Sequence, residues 1–188
     1  METVCSVAAP VLPRLLIVGG TGRNVGKTAC VCEIIRKISP RFEVFALKVS
    51  AVFPDEKKFH GAHDRAQATS GLTEEICRDG GKDTMRMLQS GAKRVFYLCS
   101  DGRSIADGFR DFLQKVPAAA AIVCESNSLY EVVRPNLLLV VKGTTGPVKP
   151  RAIPQLERAD MVIVSDGKSG FPELTRLDFD VVKGWYFI

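Results

Sequence analysis

Apolar residues gather in short runs at residues 15–18, 44–49, 95–99, 121–124, 137–141 and 161–164, each bounded by polar or turn-forming positions. Runs of this length and character suit strands buried on both faces of a parallel sheet. Between them the spacing changes to a helical period, over residues 27–38, 82–90 and 105–116, with a weaker stretch within 150–158. Strand and helix alternating with short joins predicts an α/β fold of three layers, a mostly parallel sheet with helices on both faces. Two stretches depart from the rhythm. Residues 50–78 show little apolar periodicity and crowd Pro54, Asp55, Glu56, Lys57, Lys58, His60, Gly61, His63 and Asp64 together. They read as a long polar loop near a ligand. The last stretch, 180–188, ends in Trp185, Tyr186 and Phe187 and reads as an edge strand that covers a sheet edge or pairs with a second chain. Residues 1–13 read as a loose N-terminal segment and 14–188 as a single domain.

Composition narrows the class. The chain has 188 residues and is 46% hydrophobic, enough to bury roughly 70% of the unfolded surface in one core and too apolar for a disordered chain. Its longest apolar runs fall far short of the roughly 20 residues a bilayer span requires. Twenty-six Lys plus Arg against 21 Asp plus Glu leave a net charge of +5, a mild and mixed excess that does not call for nucleic acid. No basic flank precedes an apolar core near Met1, so no signal peptide is expected. The six cysteines form no C-x-x-C pair, and Cys99 and Cys124 lie in apolar runs where thiols behave as small hydrophobes. A reducing cytoplasm fits that usage. Cys30 and Cys32, two apart on a predicted helix, point to different faces, which argues against a metal site there.

The most informative stretch follows the first apolar run. Gly19, Gly20, Thr21, Gly22, Arg23, Asn24, Val25, Gly26, Lys27 and Thr28 form a glycine-rich turn that opens the first helix. Glycines let backbone N–H groups approach phosphate oxygens that a Cβ would obstruct. The helix N-terminus adds partial positive charge at the same point. Lys27 is expected to reach the β- and γ-phosphates and Thr28 to ligate Mg²⁺. The spacing is loose: five residues separate Gly20 from Gly26 where the usual pattern has four. A second signal is Glu125, an acid at the carboxyl end of a buried strand, where α/β sheets bind ligands and phosphate-binding proteins hold Mg²⁺ or its water shell.

These stretches, with Lys82, Asp83, Thr84, Met85 and Arg86 followed by Ser90, Gly91 and Ala92, resemble the molybdopterin-guanine dinucleotide biosynthesis protein B family of P-loop proteins. The resemblance covers residues 15–141. It implies a P-loop fold that binds a purine nucleoside triphosphate, GTP by preference, with Mg²⁺. The family hydrolyses it slowly and assists the partner enzyme that attaches a nucleotide to molybdopterin. It also implies that residues 20–28 cradle phosphates, that Lys48 sits beside the same pocket, and that Asp83 and Glu125 act near the metal. The chain departs from that family in having Cys124, Glu125, Ser126 and Asn127 where Val-Glu-Gly is common. Its histidine-rich loop is echoed only by His60 and His63. The five-residue glycine spacing, Lys48 and Glu125 are instead similar to dethiobiotin synthetase, which implies an ATP-dependent ligase or kinase acting on a small acceptor. Proteins of both families are often dimers, so a homodimer is expected.

Other residues admit two readings from sequence. Asp166, followed by Gly167 after the last apolar run, stands where related folds read the base, but an Asp-Gly turn explains the pair equally well. Arg23 inside the turn is placed to touch a γ-phosphate in the manner of an arginine finger. Arg86 and Arg94 are candidates for a phosphate-facing edge, and His60 with His63 for a metal. The guanine-reading Asn/Thr-Lys-x-Asp pattern is absent, so GTP and ATP both remain open.

Overall fold

The computed structural model describes residues 11–51, 71–100 and 104–188. Among the described residues nine strands form, β1 (Val11–Gly20), β2 (Val44–Ala51), β3 (Gly71–Glu75), β4 (Arg94–Ser100), β5 (Ala121–Glu125), β6 (Arg134–Gly143), β7 (Met161–Ser165), β8 (Leu177–Asp180) and β9 (Gly184–Phe187). The helices are α1 (Lys27–Ile38), α2 (Asp83–Gln89), α3 (Ile105–Leu113) and α4 (Ile153–Arg158). The central sheet has the order β3-β4-β2-β5-β1-β6-β7. Its neighbours pair in parallel except β3, which runs antiparallel to β4.

The strands are apolar at successive positions because both faces are covered. Leu16, Val18, Ala46 and Val123 pack beneath Val31, Ile34 and Ile35 of α1 and Met87 of α2. Leu15, Ile17, Leu47 and Ile122 face the other way, under Phe109 and Phe112 of α3. This is the expected three-layer α/β architecture, with helices on both faces of a mostly parallel sheet.

The winding positions the site. From β1 the chain crosses by α1 to β2, on one face. From β5 it returns to β6 through a single 3₁₀ turn, Leu129–Glu131, whose Leu129 packs on the opposite face. The carboxyl ends of β1 and β5 therefore border the point where the winding reverses, and there an open α/β sheet leaves a crevice.

Three expectations change. Residues 11–13, read as loose, belong to β1, where Val11 and Leu12 align with Arg134 and Pro135 of β6. Part of the stretch read as a continuous polar loop is sheet: Ser50 and Ala51 extend β2, and residues 71–75 form β3. An antiparallel edge strand needs no apolar alternation when water reaches it, and Gly71–Glu75 is mostly polar and partly exposed. Most of the remaining loop, with His60 and His63, lies outside the described residues. The C-terminal stretch is no edge strand of the central sheet: β9 pairs with β8 in a separate hairpin. That hairpin caps the α1 face. Trp185 is 1% exposed and its indole N–H donates to the Arg14 carbonyl at 2.8 Å.

Candidate functional site

Strand parity aims the charged residues. Val44 and Ala46 face α1, so Lys48, two residues on, faces α1 as well. Ala121 and Val123 do the same for Glu125 on β5. Lys48 and Glu125 are register partners on adjacent parallel strands, so their side chains meet at the carboxyl edge of the sheet. The N-termini of α1 and α2 open onto the same edge and bring Thr28 and Asp83 to it.

The contacts are close. Lys48 Nζ ion-pairs with Asp83 Oδ2, and with Glu125 Oε1 at 3.2 Å. Thr28 Oγ1 donates to the other oxygen of Glu125, Oε2, at 2.7 Å. Arg86, one turn into α2, stands 3.7 Å from Asp83. Burial pushes the Lys48 ammonium down, but the charges of Glu125 and Asp83 outweigh it and hold the group above the ordinary lysine range. For Asp83 burial raises the carboxyl, and the bond and charge of Lys48, helped by Thr28, bring it below its ordinary value. Each partner thus keeps the other charged.

The glycine turn is built to approach something closely. Gly26, at φ 97°, takes a left-handed conformation that an L side chain rarely adopts, and Asn24 at φ 56° is the one described non-glycine residue with positive φ. No side chain caps α1 and its own first turn carries no acid, so its leading N–H groups are met by no carboxylate of the helix itself; Glu125, bonded to Thr28, brings an acid to that end from β5. At Gly20 a Cβ would lie 2.7 Å from the Lys27 stem, so this glycine lets the lysine lie along the turn. Lys27 Nζ then donates to the Gly22 carbonyl at 2.8 Å. Burial, with Lys48 and Lys149 nearby, lowers the Lys27 ammonium, only partly offset by Glu125 and Asp83. It is a desolvated cation that an anion would stabilise.

The turn is tied down from behind. Thr21 donates its N–H to the Val141 carbonyl and accepts at its own carbonyl from the N–H of Lys149, both at 3.0 Å. Asn127 clasps Gly20 from both sides, accepting from its N–H at 2.8 Å and donating to its carbonyl at 3.1 Å. Gln155, fully buried, holds the Asn127 carbonyl in turn. Neither amide is singled out by the chain's motifs, since the pairs they complete are far apart in sequence.

These elements surround a cavity of about 480 Å³, within the range of small-ligand sites. Arg23, Asn24, Gly26, Lys27, Thr28, Lys48, Asp83 and Glu125, all expected at the site, line it together. Arg86, Ser50 and Asn127 line it too. Gly20, Thr21, Gly22 and Val25 form the turn itself. Arg94 lies elsewhere, forked onto Glu74 at the amino end of β4. Asp166 is exposed after β7. Its carboxylate accepts from the backbone N–H groups of Lys168 and Ser169 and from the Ser169 hydroxyl, bonds that lower its pKa to about 2.

The oxygen donors of Thr28, Glu125 and Asp83 fit a hard divalent cation such as Mg²⁺, which takes one or two carboxylates and completes its shell with phosphate and water. Among the described residues no group of three or more His, Cys, Asp or Glu side chains forms an all-protein metal site. No family model, curated protein or solved structure matches the chain.

Proposed function

We propose that the protein binds the Mg²⁺ complex of a purine nucleoside triphosphate, GTP in preference to ATP, at the cavity over its glycine turn, and hydrolyses it slowly. The observation that carries this reading is the half-buried Lys27 ammonium laid across an uncapped helix start, on a turn that needs glycine at Gly20 and at the left-handed Gly26. Backbone N–H groups of residues 20–28 hold phosphate oxygens, and Lys27 neutralises the β- and γ-groups. Thr28, Glu125 and Asp83 hold the metal, which supplies charge neutralisation on the phosphates. Slow turnover is supported by the ion pairs of Asp83 and Glu125 with Lys48, since a carboxylate beside a cation is a weaker base for water.

In this reading the protein assists the nucleotide attachment that completes a molybdenum cofactor, working with the enzyme that performs it in a reducing cytoplasm. Support comes from the stretch with Lys82 and Asp83, which carries the family resemblance and puts Asp83 on Lys48. The five described cysteines are unpaired, and no described helix is long and apolar enough to cross a membrane. A second reading, an ATP-dependent ligase or kinase for a small acceptor, is favoured by one observation. The cavity runs past Lys48 to Ser50, beyond the groups a triphosphate would use.

Calorimetric titration with GTP and ATP, with and without Mg²⁺, tests the reading. Magnesium-dependent binding with GTP ahead is the expected result, and binding of neither nucleotide overturns it. Lys27→Ala removes a charge-assisted contact of about 1.5–3 kcal/mol, so affinity should fall roughly ten- to a hundredfold with the fold intact.

A further inference from the structure

A second cleft, of about 230 Å³, opens beside the phosphate cavity and shares Gly26, Ala29 and Arg86 with it. One wall is the outer face of α1, where Ala29 and Glu33 stand one turn apart. The other is the loop after β7, with Lys168, Ser169 and Phe171. A triphosphate seated on the glycine turn has two directions in which to send its nucleoside. Toward β2 it meets the packed charges of Lys48, Asp83 and Glu125. Toward α1 it meets this cleft, which begins at Ala29, immediately after the turn's Lys27 and Thr28, and has an aromatic ring in its wall.

The cleft also holds an unspent acceptor. Glu33 is half-buried, lines the cleft, and has no ion-pair or hydrogen-bond partner among the described residues. Its Oε2 lies 3.7 Å from where a Cβ on Gly170 would stand, so it faces the loop across the cleft. The acid of that loop is differently employed. Both oxygens of Asp166 are taken by Lys168 and Ser169 of its own turn, and Asp166 is not among the lining residues.

An ionised carboxylate only accepts hydrogen bonds. The guanine edge offers two donors side by side, N1–H and the 2-amino group, which match its two oxygens. The adenine edge offers one amino donor beside the N1 lone pair, which would face a carboxylate oxygen with no proton between them. We propose that the cleft is the nucleoside subsite and that Glu33, rather than Asp166, selects guanine over adenine. The assignment rests on the phosphate-site reading above and adds to it the residue that decides between GTP and ATP.

The test is titration of the full chain, with Mg²⁺, against GTP, ATP and xanthosine triphosphate, for wild type, Glu33→Gln and Lys27→Ala. A glutamine accepts from N1–H and donates to the 2-oxo group of xanthine, a pairing a carboxylate cannot make. Glu33→Gln should lower the GTP-to-ATP affinity ratio roughly ten- to a hundredfold and bind xanthosine triphosphate at least tenfold tighter than wild type does. That gain cannot come from a misfolded variant. An unchanged ratio in Glu33→Gln, or a wild-type preference for ATP, overturns the assignment of Glu33 while Lys27-dependent binding leaves the phosphate site standing. If wild type binds none of the three, or Lys27→Ala binds them as tightly as wild type, the phosphate-site reading fails and this assignment fails with it.

Discussion

Replacing Lys48 by methionine keeps most of the side-chain stem and removes the charge on which two carboxylates depend. At 3.2 Å from Glu125, with an effective dielectric of about 20, the gross attraction is about 5 kcal/mol. Much of that is offset by the cost of taking both ions out of water. Stranding one partner of a buried pair costs about 3–5 kcal/mol. Here the Glu125 side chain is 7% exposed but Lys48 keeps 20% and Asp83 38%, so water screens part of the loss. The expected destabilisation is about 2–3 kcal/mol at neutral pH. Urea unfolding followed by the fluorescence of Trp185, the chain's single and buried tryptophan, measures it directly. Lys48→Met with Glu125→Gln removes the more buried of the two stranded charges, leaves the more exposed Asp83 to water and keeps an acceptor for Thr28, and should return to within about 1 kcal/mol of wild type.

The pH dependence gives an independent check. Asp83 has a depressed folded pKa, so its contribution is present above the ordinary carboxylate range and is lost as pH falls through the folded value. Lys48 has a raised one, so its contribution is complete below the ordinary lysine range and is lost as pH rises through the folded value. The gap between wild type and Lys48→Met should therefore be widest between about pH 5 and 10 and should narrow in acid. A loss under about 0.5 kcal/mol, a gap that persists in acid, or no rescue by Glu125→Gln would refute the claim that these charges hold one another.

Three further predictions concern the turn and the core. Gly26→Ala puts a side chain at φ 97° with its Cβ 2.8 Å from Ser165 Oγ. A drop of about 1–3 kcal/mol in a thermal or urea melt is expected, together with weakened nucleotide binding. Asn127→Ala frees Gly20 from its clasp and should lower triphosphate affinity about tenfold by calorimetry, while circular dichroism stays unchanged. Native-state alkylation mapped by mass spectrometry should modify Cys77, which is partly exposed, well before the buried Cys30, Cys32, Cys99 and Cys124. Burial pushes the thiols of Cys30 and Cys124 up and keeps them un-ionised. Early labelling of Cys30 would show that α1 does not pack as described.

The elements were legible in the chain wherever local chemistry decides. The apolar runs that form β1, β2 and β4 through β7 could not be left in water, and the period of residues 27–38 admits only a helix with one buried face. The glycine turn and the helix it opens are likewise written locally, because Gly26 and its neighbours meet a backbone requirement no other residues satisfy so cheaply. β3 was not legible: an edge strand of polar residues has its partner, β4, and not its own pattern, to thank for its conformation. The hairpin of β8 and β9 is hidden for the same reason, since Trp185 looks like edge-strand chemistry until the α1 face it covers is known. The site divides along that line too. Lys27, Thr28, Lys48, Asp83 and Glu125 could be nominated from residue type and position at element ends. That Lys48 lies between Asp83 and Glu125, that Asn127 clasps Gly20, and that Glu33 rather than Asp166 faces the second cleft depend on register between strands and on the packing of loops against α1. Those are contacts between residues up to well over a hundred positions apart, and only the assembled sheet, by bringing its carboxyl ends to one edge, decides them.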